Sequence, residues 1–363
     1  MRQARINILI ITIILMCIGL VMVYSASSVY AQEKFNDGMF FLKRHILFLF
    51  IGGILCLFLL CIDYKRLKNL SKPLLVFCIL LLILVLVPGI GRSVGGAQRW
   101  FRVGDFSFQP SWMANVVLFI YIADFIRRKQ LLMEDFIKGF LPVMFVSGLV
   151  CGFILLQPDL GTALAIFIVA ALMLYIGGTP ISYLAITLLA SLPLLYIMIF
   201  SVPYRRLRIV AFLNPWSDPG GSGFQIIQSQ IALGSGGLFG QGLGASRQKL
   251  FFLPAAHTDF IFSIIGEELG FFGVACVILL FIFLLLYVLK AIKNCPEPFG
   301  YYLSLGLTIS LLLRAFINIA VVCGILPTKG LPLPFISYGG SSLIFDMVSI
   351  ALVLNIARSC EQF

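Results

Sequence analysis

The sequence predicts an all-α polytopic membrane protein with about ten transmembrane helices and one large loop between the seventh and eighth. Three observations carry this expectation. Of 363 residues, 61% are hydrophobic and only 11% charged, more apolar surface than a soluble core requires. Apolar runs long enough to cross roughly 30 Å of hydrocarbon recur along the whole chain. The 26 Lys and Arg, which give a net charge of +11, are spread over the segments between those runs. Such a distribution fits anionic lipid headgroups or a phosphate-bearing substrate, and argues against nucleic acid as a partner.

The first run, 6–27, begins after Met1-Arg2-Gln3-Ala4-Arg5 and ends near Ser25-Ala26-Ser27, as a signal peptide would. It is too long for a cleaved apolar region and nine more runs follow, so it reads as a membrane helix. Further helices are expected at 42–62, 73–89 and 110–126. The pair 140–156 and 160–177 is joined by Gln157-Pro158-Asp159-Leu160-Gly161-Thr162, and its proline and glycine argue for two helices. Helices at 180–201, 259–289, 299–323 and 342–357 complete the set, and a single domain spans 1–363.

With both termini cytoplasmic, the short inner loops carry Lys65, Arg66, Lys68, Lys72, Arg127, Arg128, Lys129, Lys138, Lys290 and Lys293, a positive-inside pattern. The outer segments nevertheless hold Arg92, Arg99, Arg102, Arg205, Arg206, Arg208, Arg247, Lys249 and Lys329. Cations placed against the bias point to a use for them. All nine cysteines lie in or beside apolar runs or on inner stretches, so no disulfide is expected.

Three outer segments are dense in Gly, Pro and cations: 89–110, the loop 202–258, and 326–342. Alone, such stretches read as tight turns, and irregular backbone is expected there. Their convergence on the face that carries Asp259 favours a site. Guanidinium groups and backbone N–H groups together suit a pyrophosphate. Arg99, Arg102 and Arg206 are the first candidates to hold it, with Arg205, Arg208 and Arg247 next.

Asp259 stands at the mouth of a long apolar run, where a carboxylate is costly unless it binds or reacts. Asp159 sits between Pro158 and Gly161 at a helix junction, another polar site in apolar surroundings. Arg314, near the middle of the ninth run, needs an acid, and Glu267 or Asp346 could pair with it. His257-x-Asp259 by itself is too small a ligand set for a metal. Ser337 and Ser341 lack a nucleophile-elbow sequence, which excludes a serine triad.

The motifs Arg99-Trp100-Phe101, Phe108-Gln109-Pro110-Ser111, Gln157 to Thr162, Asn214-Pro215-Trp216, Gly234-Ser235-Gly236-Gly237, His257-Thr258-Asp259-Phe260 and Pro332 to Ser342 follow one another in order. Through them the chain resembles, over essentially its whole length, the SEDS family (shape, elongation, division and sporulation) of RodA/FtsW-type proteins. Ser246-Arg247-Gln248-Lys249-Leu250 resembles the division and sporulation branch, FtsW and SpoVE, more than RodA. The resemblance implies an inverting peptidoglycan glycosyltransferase in the bacterial cytoplasmic membrane, polymerising lipid II at its outer face. It implies Asp259 as the catalytic general base; Arg99, Arg102, Arg206, His257, Asp159, Ser337 and Lys329 are expected around the substrate. A divalent cation, Mg or Mn, is implied as cofactor, and a class B penicillin-binding protein transpeptidase and divisome proteins as partners. The chain departs from the family pattern at Trp112 and Asn115, where an acid and a lysine are usual, and at Ala255, usually Glu. Losing an acid and a base together on one helix face leaves the charge balance unchanged. A lipid-linked precursor flippase and a non-catalytic divisome scaffold are the alternative functions.

Overall fold

The computed structural model describes residues 2–361 except 95, 105, 251 and 294. Gly95 and Phe251, each next to or within a motif segment, lie outside the described residues. Twelve α-helices are described: α1 (Arg2–Phe35), α2 (Phe40–Cys61), α3 (Arg66–Leu84), α4 (Pro110–Arg128), α5 (Leu141–Leu156), α6 (Leu160–Ile176), α7 (Ile181–Phe200), α8 (Pro203–Leu213), α9 (Phe224–Ser235), α10 (Ile261–Ile292), α11 (Pro298–Val322) and α12 (Gly340–Cys360). Ten of them occupy the ten expected positions. The third starts and stops earlier than expected, because the amphipathic turn at Lys68–Lys72 joins the helix and Pro88-Gly89 ends the run in a turn.

Eight helices are long and apolar enough to cross a membrane by length and composition. The remaining two at expected positions are α6, which is shorter, and α4. α4 is buried along nearly its whole length, against α3, α6, α11 and α12. A helix wrapped in protein meets little lipid, so it tolerates Asn115, Asp124 and small residues. α7 is the opposite case, with no buried residue. α1 packs along α10 and α2 along α12, closing the other side of the bundle.

The 89–110 and 202–258 segments are more regular than their composition suggests. Arg92–Val94 (β1), Ala97–Val103 (β2) and Phe106–Phe108 (β3) form an antiparallel sheet with Arg92 opposite Trp100 and Phe101 opposite Phe108. The large loop contains α8 and α9. Backbone without helix or strand is found mainly between α9 and α10 and at 323–339, where Pro327, Pro332 and Pro334 remove N–H donors.

The single long eighth run is in fact two helices. Gly270 adopts φ 65°, ψ −162°, a left-handed conformation that side chains disfavour. The backbone freed by this break is paired with the loop before it. Gln241 N donates to Glu267 O (3.0 Å), Gly242 N to Glu268 O (3.1 Å) and Phe271 N to Gly237 O (2.9 Å). Interrupted helices in a membrane need such partners. The stretch 271–292 alone spans about 33 Å, enough to cross. Glu267 and Glu268 therefore belong to a short half-helix at the loop end of the bundle. Glu268 accepts from Ser25 (2.7 Å) and from Lys249 (2.8 Å), and Glu267 from Arg247 N (2.9 Å), which ties the 244–249 loop to α1 and α10.

Arg314 pairs with Asp346, one of its two expected partners, and both are buried. Its guanidinium also lies over the Trp112 ring, 4.9 Å from the centroid.

Candidate active site

Because the helices alternate in direction, the α3–α4, α5–α6, α7–α10 and α11–α12 connections share one end of the bundle. Asp259 lies there, one residue before the N-cap of α10. Its backbone carbonyl accepts from Asn318 of α11 at 2.8 Å, and the same amide donates to Leu331 O at 2.8 Å. One side chain thus fixes Asp259 against the 323–339 loop. Gly330 packs directly over the carboxylate: a Cβ there would stand 2.8 Å from Oδ2, so any larger residue would push the carboxylate aside. Among the described residues the carboxylate accepts no hydrogen bond, and burial pushes it up to about 6, opposed by Arg208 and reinforced by Asp159. A desolvated, unsatisfied carboxylate is a stronger base than a solvated one.

Asp159 is held differently. It N-caps α6, accepting from Thr162 N (3.2 Å) and Thr162 Oγ1 (2.9 Å), and Gln109 Nε2 reaches its Oδ2 at 3.4 Å. Gln109 is positioned in turn by Trp112, whose indole N–H donates to Oε1 at 3.0 Å. A chain of contacts therefore runs from Arg314 through Trp112 and Gln109 to Asp159.

The cations divide by role. Sheet strand β2 carries Arg99 to the α5–α6 junction, where Nε donates to Gln157 O (2.7 Å) and Nη2 to Pro158 O (2.6 Å), with Asp159 at 3.8 Å. Its fork is engaged by protein carbonyls. Arg102 donates to Gly104 O at 2.8 Å and is exposed, as is Arg206. Arg205 is bound to Met198 O. Arg208, ranked behind these from sequence, is the arginine whose charge acts on Asp259; it donates to Thr328 O at 2.9 Å and stacks on Tyr204. The stem of Lys329 lies against Gly161 beside Asp159, and burial brings its ammonium down to about 8 while Asp159 opposes that shift.

His257 and Ser337 are built into the wall. The imidazole packs among Phe41 (4.5 Å between centroids), Tyr30 and Tyr338, and burial lowers its pKa to about 4, so it is neutral at pH 7. Ser337 donates to Thr258 O (2.6 Å) and accepts from Leu333 N (2.9 Å). Asn318 was not singled out by sequence, Gln109 entered only as part of a motif, and Arg208 only as a second-rank cation. Asn318 sits in an apolar helix near Arg314, and a buried amide there is the signal that would have found it.

No group of three His, Cys, Asp or Glu able to hold a metal is present among the described residues. Mg ordinarily keeps several waters and takes one or two carboxylates together with substrate phosphates, so it needs no closed protein cage here.

Residues 5–362 match the family model for FtsW, RodA and SpoVE, described as cell cycle proteins. The chain belongs to this family. It is 46% identical over 350 residues to the probable peptidoglycan glycosyltransferase FtsW of Geobacter metallireducens, covering 96% of this chain and 93% of that one. It is 43% identical over 351 residues to the stage V sporulation protein E of Bacillus subtilis, covering 97% and 96%. Among solved structures it resembles a chain of a peptidoglycan synthase complex that couples polymerisation and crosslinking (TM-score 0.79, 30% identity, 98% of each chain). The rod shape determining protein RodA of Thermus thermophilus is similar as well (TM-score 0.73, 28% identity, 98% and 97%). The chain is accordingly a multi-pass membrane protein of the FtsW/RodA/SpoVE type.

The departures from the family pattern fit the structure locally. Asn115 exchanges hydrogen bonds with Ser310 of α11 (3.0 and 3.3 Å), and Trp112 covers Arg314. An amide and an indole thus join α4 to α11. Ala255 is exposed, with φ 58°, and its carbonyl collects Thr258 N (3.0 Å) and Phe260 N (3.3 Å).

Proposed function

We propose that this chain is an inverting peptidoglycan glycosyltransferase that polymerises lipid II at the outer face of the bacterial cytoplasmic membrane during division or sporulation. The observation that carries this reading is Asp259, a desolvated carboxylate acted on by Arg208, with Lys329 beside the neighbouring Asp159, at one end of a membrane bundle. Glycosyl transfer from a lipid pyrophosphate needs a base for the attacking sugar hydroxyl and cations for the departing phosphates. Asp259 takes the hydroxyl proton as that oxygen attacks the anomeric carbon from the face opposite the pyrophosphate, which converts the α-linkage to β. Arg208 and Lys329, with Arg102 and Arg206 further out, offset charge on the leaving group. Arg99 and Asp159 position the α5–α6 junction, and His257 and Ser337 shape the wall. Mg or Mn belongs with the substrate's phosphates rather than with a protein cage. A class B penicillin-binding protein is the partner that would crosslink the product, within the division machinery.

Purified protein with labelled lipid II tests the reading: glycan product is expected. No product with a cognate transpeptidase present would favour a precursor flippase or a scaffold and overturn the enzyme reading.

The pH profile supplies a second test. A general base works deprotonated, so kcat/KM should fall as pH drops through about 6 and level off above it. An acid limb near the ordinary carboxylate value, about 4, would mean that Asp259 is not desolvated when it acts.

The orientation can be checked directly. In a background cleared of native cysteines, Cys introduced at Ser222 and at exposed Ile325 should react with an impermeant thiol reagent on intact spheroplasts. Labelling only after lysis would put the site on the cytoplasmic side, where lipid II polymerisation cannot occur.

A further inference from the structure

At the bundle end opposite Asp259, two cysteines meet. Cys295 lies in the turn between α10 and α11, and Cys360 is the last residue of α12. Cys295 Sγ lies 3.7 Å from Glu297 O, and Glu297 and Cys360 line one cleft, so the two thiols are neighbours. Cys295 is half-buried and Cys360 fully buried. A cleft of about 320 Å³ opens beside them, lined by Tyr64, Lys65, Glu297, Ser359 and Cys360. The cleft brings water and a small solute to the Cys360 side of the pair, and Cys295 is itself partly exposed.

The surroundings favour a thiolate on the more open sulfur. The Cys360 hydrogen bond, and more weakly Lys65, bring Cys295 down to about 7, against burial and the Glu297 charge. An accessible thiolate beside a second, sheltered thiol is the arrangement that reacts with oxidants and then closes to a disulfide.

We propose that Cys295 and Cys360 form a hydroperoxide-reactive dithiol, with Cys295 the attacking and Cys360 the resolving thiol. The Cys295 thiolate attacks one peroxide oxygen, breaking the O–O bond; the other oxygen leaves as hydroxide and takes up a proton. Cys295 is then a sulfenic acid. Cys360 sulfur attacks it, the S–S bond forms, and the sulfenic oxygen departs as water with the Cys360 proton. In sum, two thiols and one hydrogen peroxide give one disulfide and two waters. A thiol reductant reverses the change. The bond would staple the last turn of α12 to the α10–α11 turn, next to Arg5 of α1, which pairs with Glu361 at 3.2 Å.

The test uses the full chain, purified in detergent or nanodiscs, and does not depend on glycosyltransferase activity. After hydrogen peroxide, non-reducing peptide mapping should find a 295–360 crosslink that dithiothreitol removes. At pH 7, Cys295 should react with iodoacetamide about tenfold faster than exposed Cys323, whose thiol is almost wholly protonated. Cys360→Ser should replace the crosslink by a sulfenic acid that dimedone traps at Cys295. Both wild-type readings stand even if a substituted chain misfolds. Absence of the crosslink at peroxide doses that oxidise other thiols, or alkylation of Cys295 no faster than of Cys323, overturns the proposal.

Discussion

Asp259→Asn is expected to lower lipid II polymerisation by about 10²–10⁴-fold, the usual cost of removing a positioned general base. Protein level and membrane insertion should be unchanged. Asparagine keeps the size of the side chain, and the Asn318 bond goes to the backbone carbonyl, which the substitution does not touch. The folded state already disfavours the charge at this position, since burial raises the carboxyl to about 6. At pH 7 a neutral amide therefore removes a small destabilising contribution, and the melting temperature should hold or rise. This split separates chemistry from folding: a variant that is inactive because it is misfolded would melt early. Wild-type turnover by Asp259→Asn would remove Asp259 from the mechanism.

Arg314→Met is expected to destabilise the chain by about 3–5 kcal/mol, because it leaves the buried Asp346 carboxylate without its cation. It also removes the group stacked on Trp112, and so the first link in the contacts leading to Gln109 and Asp159. Replacing both members, Arg314→Met with Asp346→Leu, should recover most of the stability, since no unpaired charge remains. Thermal unfolding in detergent, followed by loss of monodisperse protein, reads the difference. If the single variant melts with the wild type, the pair contributes no stability, and Asp346 folds without its charge.

The two expectations differ in how legible they were. Asp259 is visible in the chain because a carboxylate at the border of a long apolar run is out of place anywhere else. Arg314 was equally visible, and its need for an acid followed from its depth, but the choice between Glu267 and Asp346 did not. Both acids lie in runs that could have faced it. The choice depended on which helices pack together, and Glu267 is withdrawn to the loop end by the break at Gly270.

The arginines show the same limit more sharply. Arg99, Arg206 and Arg208 are alike as residues, each an outer cation set against the charge bias. What separates them is which acceptor each meets. Arg99 finds the carbonyls freed at Gln157 and Pro158, Arg206 is exposed, and Arg208 comes beside Asp259. No local pattern encodes those distances.

Hydrophobic run length by itself determined that this is a membrane bundle, where nearly every helix lies, and that the Gly- and Pro-rich connections converge around Asp259. Those are properties of single segments and of alternation in direction, and each is set by transfer of side chains into hydrocarbon. Only the tertiary structure decided that the eighth run breaks at Gly270, that the 89–110 segment closes into a sheet, and that Trp112 and Asn115 join α4 to α11. The break and the two joins each require a hydrogen-bonding or ring partner far away in the chain: Gly237 for Phe271, Arg314 for Trp112, Ser310 for Asn115. A polar group removed from water takes whatever partner packing brings to it, and that partner is specified by the whole fold.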